Sequence, residues 1–205
     1  MGIQATNRIL KLVQALKEDD FVLGLISGGG SAFLCSPAAG ISLVDKQALQ
    51  RALLKPGMPI GKINVVRKYL SRVKGGQLAA AVYPARMLNF LISDFPEDHL
   101  ADIASGPKIG EGSTFEDAMA VIEEYKIQLP TSIKKILLNR RTLISEKDIG
   151  FSRTKNEVIS APFQSLEAAK ADAVIKSYDV IIICDSIKGE ARIETARHVA
   201  RARNA

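Results

Sequence analysis

The sequence has few of the residues that build redox, metal and base-stacking sites. Its 205 residues include two cysteines, two histidines and no tryptophan, and aromatic residues make up 5%. Cys35 and Cys184 lie far apart in apolar surroundings, which predicts reduced, mostly buried thiols. Two cysteines and two histidines at these spacings offer no cluster of metal ligands.

Long apolar runs are missing as well. The longest near-continuous runs, at 21–26 and 180–184, are far shorter than the roughly 20 residues that a membrane helix needs. Residues 1–4 are not a basic segment followed by an apolar stretch, so we expect no secretory signal. Together with the thiols, these features predict a cytoplasmic protein without a membrane partner.

The net charge of +6 raises the question of nucleic-acid binding. Half of this excess lies in the helix-like segment 188–205, and a second excess lies between 134 and 155. Because aromatic residues are scarce, platforms on which bases stack are poorly supplied. A solvated basic face accounts for the charge, and we expect no nucleic-acid partner.

Short apolar runs alternate with amphipathic helical patterns along the chain. Strands are predicted at 21–27, 87–93, 157–160 and 179–184. Helices are predicted at 5–17, 42–55, 63–71, 77–82, 113–125, 131–139 and 164–176, and from 189 onward. Ser113 and Glu116 have the spacing of a capping box. The alternation predicts an α/β fold, a doubly wound and mostly parallel sheet with helices on both faces.

A glycine-rich loop follows the first predicted strand, at an end where open α/β sheets bind ligands. Its residues are Ser27, Gly28, Gly29, Gly30 and Ser31. The glycines let the backbone approach a ligand, and Ser31 can begin a helix whose free amides attract an anion. The loop matches neither the P-loop nor the dinucleotide fingerprint, so anion binding and a plain tight turn are both compatible with it.

Acidic residues follow two later strands. Asp94 and Asp98 come after the second, and Asp185 and Glu190 come after the last. A carboxylate at such a position can act as a general base for a hydroxyl or hold Mg²⁺ through water. Capping of the next segment is the alternative for each.

The predicted helix at 63–71 carries a polar face. Positions i, i+3, i+4 and i+7 are Asn64, Arg67, Lys68 and Ser71. Lys74 and Gly75 add a cation and a flexible backbone just beyond the helix. The face suits an anionic ligand such as a phosphate or a small carboxylate, with a solvated helix face as the alternative.

Six motifs in order resemble the N-terminal domain of the glycerate 2-kinase family, whose members are often labelled hydroxypyruvate reductase. They are LISGGGSA (25–32), NVVRKYLSRVKGGQLA (64–79), LISD (91–94), IASGP (103–107), STFEDA (113–118) and GEAR (189–192). The resemblance covers nearly the whole chain. It implies a Rossmann-like three-layer sandwich and MgATP-dependent phosphorylation of D-glycerate at its 2-hydroxyl.

The resemblance also implies roles for individual residues. The loop from Ser27 to Ser31 would line the cleft, and Asp94 and Lys68 would be catalytic, with Asp94 and Asp98 at Mg²⁺. The remaining contacts to ATP or glycerate would come from Asn64, Arg67, Lys74, Gly75, Ser105, Gly106, Asp185 and Glu190. Positioning and charge neutralisation dominate phosphoryl transfer, so such a set of groups would be sufficient.

The chain departs from the family pattern in places. The family has His at Tyr69, Gly at Glu97 and Thr at Lys108. Family members also have an upstream segment with another functional lysine and a C-terminal domain that forms the opposite wall of the cleft. We therefore expect residues 1–205 to form one α/β domain with an incomplete active site.

Two other functions are compatible with the motifs. One is an NAD(P)H-dependent hydroxypyruvate reductase, against which the missing G-x-G-x-x-G fingerprint argues. The other is a non-catalytic module that binds a nucleotide or an anion. A homodimer is a candidate assembly.

Overall fold

The structure is a computed structural model that describes residues 1–27, 29–55, 57–93, 106, 112–138, 143–145, 147–185, 187 and 191–203. The strands are β1 (Phe21–Ile26), β2 (Arg86–Ile92) and β3 (Thr154–Ser160). The helices are α1 (Gly2–Val13), α2 (Gly30–Phe33), α3 (Leu43–Leu54), α4 (Ile60–Tyr69), α5 (Gln77–Val82), α6 (Phe115–Glu124), α7 (Thr131–Leu138), α8 (Pro162–Ile175) and α9 (Ala191–Arg203). A 3-10 helix spans Ile149–Phe151. None of the described helices is long and apolar enough to cross a membrane.

The described strands form one parallel sheet in the order β1-β2-β3. Val22 is in register with Met87, and Met87 with Thr154, while the register shifts between Leu91 and Ile92. Parallel strands place their carboxyl ends at the same edge of the sheet, so the segments after β1, β2 and β3 begin there. The predicted α/β class and parallel sheet are confirmed.

One face of the sheet carries a core. Val22 and Met87 pack against apolar side chains of α1 and α5, among them Leu10 and Val82. On the other face, Phe21, Leu23 and Leu25 are 56%, 51% and 72% exposed. In the described part of the chain, helices therefore cover β1 on one face only. An apolar groove of about 450 Å³ runs beside β1 and reaches Ser27.

A second core lies among α3, α4, α6 and α7. Leu53 of α3, Ile63 and Val66 of α4 and Ile133 of α7 are at most 2% exposed in it. Residues 63 and 66 are one turn apart, so this burial fixes which face of α4 turns away from the core. That other face carries the polar residues predicted to bind an anion.

The fourth predicted strand is wrong. Residues 178–184 have no regular secondary structure, and Ile181 is 72% exposed. A β-branched run such as Val180 to Ile183 suits a strand, but a strand needs a partner to take its backbone hydrogen bonds. Pairing is a long-range property that the local pattern does not contain.

The capping box lies one residue later than predicted. The Thr114 hydroxyl accepts from the backbone N–H of Asp117 at 3.1 Å, and an Asp117 carboxylate oxygen accepts from the backbone N–H of Thr114 at 2.7 Å. Ser113 and Glu116 have the same spacing, so sequence alone does not separate the two pairs. Phe115, the first residue of α6, packs edge-on against Tyr69 with ring centroids 6.5 Å apart, which fixes where the helix begins.

The cysteines are less buried than predicted. Cys35 is half-buried and Cys184 is exposed. Cys184 ends the apolar run that was expected to be an inner strand, so its exposure follows from the missing strand pairing.

Two adjacent leucines of α3 provide a test of which side chains belong to the second core. We expect Leu53→Ala to lower the free energy of unfolding by about 2–5 kcal/mol, because it leaves a cavity. Leu54 is 56% exposed and is the matched control, with an expected loss below about 0.5 kcal/mol for Leu54→Ala. Urea unfolding measures both, and equal losses would contradict this description of the core.

The capping box predicts how the melting temperature depends on pH. The Thr114 backbone and hydroxyl donate to the Asp117 carboxylate and lower its pKa below 3.8. This carboxylate therefore stabilises the fold above its unfolded pKa and loses that contribution as pH falls through its folded pKa. Asp117→Asn should lower Tm at pH 7 and have little effect near pH 2, whereas Glu116→Gln should change Tm little at either pH.

Candidate anion-binding site at the carboxyl end of β1

The loop after β1 leads directly into α2. Gly29 has φ +77°, a left-handed conformation that glycine adopts without the strain of a side chain. The backbone N–H of Gly30 donates to the carbonyl of Ser27 at 3.4 Å, and α2 starts at Gly30. The loop thereby places half-buried Ser31 in the first turn of α2.

Two cations converge on Ser31. Arg67 Nη2 donates to Ser31 Oγ at 3.0 Å, and Lys74 Nζ lies 2.6 Å from the same oxygen. Lys74 Nζ also donates to the Ser31 carbonyl at 3.0 Å. These contacts join the glycine loop to α4 and to the link between α4 and α5.

The polar face of α4 is buried. Asn64 and Lys68 are 2% and 4% exposed, and Asn64 Oδ1 accepts from Arg67 Nη1 at 3.3 Å. Burial of these groups contradicts the alternative of a solvated helix face. Burying polar groups lowers the stability of a fold unless they have hydrogen-bonding partners. The hydrogen bond between Asn64 and Arg67 is one such partnership.

The link between α4 and α5 holds Lys74 in place. Ser71 Oγ accepts from the backbone N–H groups of Val73 and Lys74, each at 3.2 Å. The side-chain amide of Gln77 donates to the carbonyls of Ser71 at 2.6 Å and Lys74 at 3.0 Å. These four hydrogen bonds fix the position from which Lys74 extends to Ser31.

Gly106 contacts the same link. The backbone N–H of Gly76 donates to the carbonyl of Gly106 at 2.7 Å, and Gly106 is buried. Gly76 has φ +78° and is the N-cap of α5. Gly106, one of the predicted site residues, therefore lies next to the link that carries Lys74.

Positive charge accumulates around Lys74. Burial, which has the largest effect, and the charges of Arg67, Lys46 and Lys68 together lower the pKa of Lys74 from 10.5 to about 7, against an opposing effect of Cys35. Burial also lowers the pKa of Arg67 from 12.5. We call Lys46, Arg67, Lys68 and Lys74 the cationic cluster. Like charges held together away from water favour either loss of a proton or binding of an anion.

Sequence reasoning missed two neighbours of this site. Lys46 Nζ of α3 donates to Cys35 Sγ at 3.4 Å, which places both beside the cationic cluster. The pattern of α3 gave no sign of this role, since Lys46 was one of several polar residues on an amphipathic helix. The contact depends on how α3 packs, which is not local information.

The structure brings together part of the predicted site. Hydrogen bonds and shared charge link Ser31, Asn64, Arg67, Lys68 and Lys74. Among the described hydrogen bonds and ion pairs, none joins Asp185 to this group. Several predicted site residues lie outside the described residues: Gly28, Asp94, Asp98, Ser105 and Glu190. The described residues contain no group of three or more His, Cys, Asp and Glu side chains that could hold a metal ion.

The predicted departure at position 69 has a structural explanation. Tyr69 is 3% exposed in the second core, and its hydroxyl donates to the Ser113 carbonyl at 3.1 Å. Its ring packs edge-on against Phe115. Glu97 and Lys108, the other two departures, lie outside the described residues.

Comparison with known protein families places the chain in one of them. A family model described as a domain of unknown function, DUF4147, matches residues 1–138. The chain belongs to this family. In the DUF4147 chain, the matched residues include the glycine loop, α4 and Lys74.

Relatives of this DUF4147 chain include named enzymes. A D-glycerate 2-kinase of Thermotoga maritima is 41% identical over 198 residues, which cover 97% of the chain and 46% of that protein. A human glycerate kinase is 32% identical over 209 residues, covering 98% and 40%. A protein of Agrobacterium vitis that bears the name of a hydroxypyruvate reductase is 40% identical over 192 residues, covering 94% and 49%.

A solved structure shows the same fold. The crystal structure of a glycerate kinase from Thermotoga maritima matches with a TM-score of 0.81 at 40% identity, covering 98% of this chain and 47% of that one. The DUF4147 chain thus spans about half or less of the length of these relatives. The resemblance to the glycerate 2-kinase family predicted from the motifs is confirmed.

The buried lysine predicts how stability depends on pH. The folded pKa of Lys74 is about 7 and its unfolded value is 10.5, so between these values the unfolded chain binds more protons. The free energy of unfolding should therefore rise from pH 7.5 to 9.5, by at most about 1.4 kcal/mol per pH unit from this group. Lys74→Met should flatten the rise, and exposed Lys135→Met should not. An equal slope in all three proteins would contradict burial of a proton-binding Lys74.

Proposed function

We propose that the chain takes part in ATP-dependent phosphorylation of D-glycerate to 2-phosphoglycerate, as a kinase-type phosphotransferase. The observation that carries this proposal is the cationic cluster beside the glycine loop, on the chain whose relatives include named glycerate kinases. Its ligands would be a small carboxylate substrate and a nucleotide. Both are anions, as the cluster requires.

The cluster supplies what a transferring phosphoryl group needs from a protein. Arg67 presents a planar guanidinium that suits the oxygens of phosphate or carboxylate, and Lys68 and Lys74 add charge. Lys68 and Lys74 are buried, Arg67 is half-buried, and hydrogen bonds already position Arg67 and Lys74, which favours stabilisation of charge in the transition state. Ser31 and Asn64 orient Arg67 through hydrogen bonds at 3.0 and 3.3 Å.

We also propose that Mg²⁺ accompanies the nucleotide, with Asp94 and Asp98 near the ion. When bound, it would neutralise charge on the phosphate oxygens. The described residues fit the phosphates rather than the metal, since the cluster consists of cations and neutral donors. Asp94 follows Ser93, which is 5% exposed at the end of β2, so the chain enters the predicted acidic segment at the carboxyl edge of the sheet.

The remaining roles are carried over from the family resemblance. Asp94 would activate the 2-hydroxyl of glycerate, and Ser105 with Gly106 would close the pocket. The hydrogen bond from Gly76 to Gly106 supports the second of these roles. Asp185 and Glu190 stay predictions for the nucleotide or glycerate side of the cleft.

At the level of the whole chain, we propose that residues 1–205 form one α/β domain of a cytoplasmic protein. Its partners would be small molecules and, as a candidate assembly, a second copy of the chain. The relatives extend well beyond the region that this chain matches, so groups elsewhere in such proteins would complete the cleft.

The decisive experiment compares two reactions. With MgATP, and with the chain joined to the remaining part of the Thermotoga maritima D-glycerate 2-kinase to complete the cleft, we expect ADP release that depends on D-glycerate. With NADH and hydroxypyruvate, we expect no oxidation of NADH. Oxidation of NADH would instead support the reductase that the name of the Agrobacterium vitis relative suggests. If neither reaction proceeds but ATP raises Tm, the chain is a binding module and the kinase proposal fails.

A pair of arginines tests the site itself. Arg67→Gln removes a charge-assisted donor of about 1.5–3 kcal/mol, so we expect affinity for the anionic ligand to fall about tenfold or more. Arg51→Gln, at an exposed position of α3, is the control and should leave affinity unchanged. Titration calorimetry with ATP and with D-glycerate measures both, and equal affinities would exclude Arg67 from the site.

A further inference from the structure

In the described part of the chain, the sheet has an open face on the side opposite to α1 and α5. We give this name to the side of the sheet on which Leu23, Leu25, Phe90, Ile92 and Ile159 lie. Phe90 is half-buried and the other four are exposed. A hollow of about 240 Å³ on this face is lined by residues of all three strands. Exposed apolar surface that continues over several strands is typical of an interaction site.

Side chains on the open face form rows across the strands, because parallel strands in register place neighbouring side chains on the same side. Two rows next to each other are Leu23–Leu88–Lys155 and Leu25–Phe90–Glu157. Each row has two apolar side chains and one charged side chain, and the two charges are opposite in sign. Lys155 and Glu157 form an ion pair along β3, with side chains 73% and 41% exposed.

These two rows are complementary to each other when their order is reversed. A twofold axis that runs across the strands, between the rows, brings each row over the other row of a second copy. Leu23 then lies over Leu25, Leu88 over Phe90, and Lys155 over Glu157 of the second copy. A twofold axis along the strands would instead place Leu25 over Glu157, an apolar side chain against a charge. We propose that the open face binds the open face of a second copy of the chain, with the strands of the two sheets running in opposite directions.

This arrangement has the features of a symmetric dimer. In an isologous interface every contact occurs twice, so the apolar contacts and the pair of Lys155 with Glu157 each form two times. Arg86, the first residue of β2, lies at the edge of the contact, where its long side chain reaches water. The area buried by both copies is on the order of 1,000 Å², the lower limit for a specific interface. We therefore expect a dimer that dissociates on dilution.

Analytical ultracentrifugation over a dilution series of the chain measures the dimer. Leu25→Lys should raise the Kd of the dimer about a hundredfold or more, because it buries an unpaired charge in the contact. Leu54→Lys, at an exposed position of α3, is the matched control and should leave the Kd unchanged. Both side chains are exposed in the single chain, so both variants should keep its circular dichroism spectrum.

A charge exchange tests the direction of the twofold axis. Lys155→Glu places a carboxylate over Glu157 of the second copy, twice per dimer, and should raise the Kd about tenfold or more. Adding Glu157→Lys to Lys155→Glu restores opposite charges and should return the Kd to within about threefold of the original value. Lys135→Glu, on the exposed surface of α7, changes the net charge equally and should have no effect.

The dimer gives a place to the second copy in the proposed function, and mass rather than activity tests it, so either proposal can fail without the other. A monomer at every concentration would overturn the dimer and leave the open face to another segment of a longer protein. A dimer that Leu25→Lys does not weaken would exclude the open face as its interface. A dimer that Lys155→Glu does not weaken, or that the double exchange does not restore, would overturn the proposed twofold arrangement.

Discussion

The contact of Lys74 and Arg67 with Ser31 is the interaction on which the site depends. It joins a loop that leaves the sheet to α4, a helix of the second core. Without this contact, Ser31 would be an ordinary residue of the four-residue helix α2. The burial of the polar face of α4 would then have no functional explanation. The fold therefore keeps a concentration of positive charge at the carboxyl edge of the sheet, where α/β proteins bind their ligands.

This arrangement sets two demands on the same residues. Stability of the empty protein favours fewer charges around Lys74, whereas recognition of an anion favours more. A lysine can satisfy both because it can lose its proton, and an arginine cannot. Burial accordingly lowers the pKa of Lys74 to about 7. The hydrogen bonds of Ser71 and Gln77 hold the backbone from which its side chain extends.

Local patterns predicted much of the fold and the polar face on which the candidate site is built. β1, β2 and α5 follow from apolar runs and glycine breaks, and the polar face of α4 follows from spacing of three and four residues. Patterns did not predict events that depend on partners distant in sequence. Residues 179–184 have strand-like composition but no pairing, and Lys46 reaches Cys35 only because α3 packs where it does. The choice between Ser113 and Thr114 as the helix cap likewise depended on the contact of Phe115 with Tyr69.

Two short hydrogen bonds extend the influence of the site to the first helix. Thr6, 1% exposed in α1, accepts from the backbone N–H of Cys35 at 2.9 Å, and the carbonyl of Ser36 accepts from the backbone N–H of Arg72 at 2.9 Å. The Thr6 side chain thus connects α1 to the segment after α2, and the Ser36 backbone connects that segment to the link beyond α4. Position 6 consequently bears on where the backbone leading to Lys74 lies, although it is far from Lys74 in the sequence.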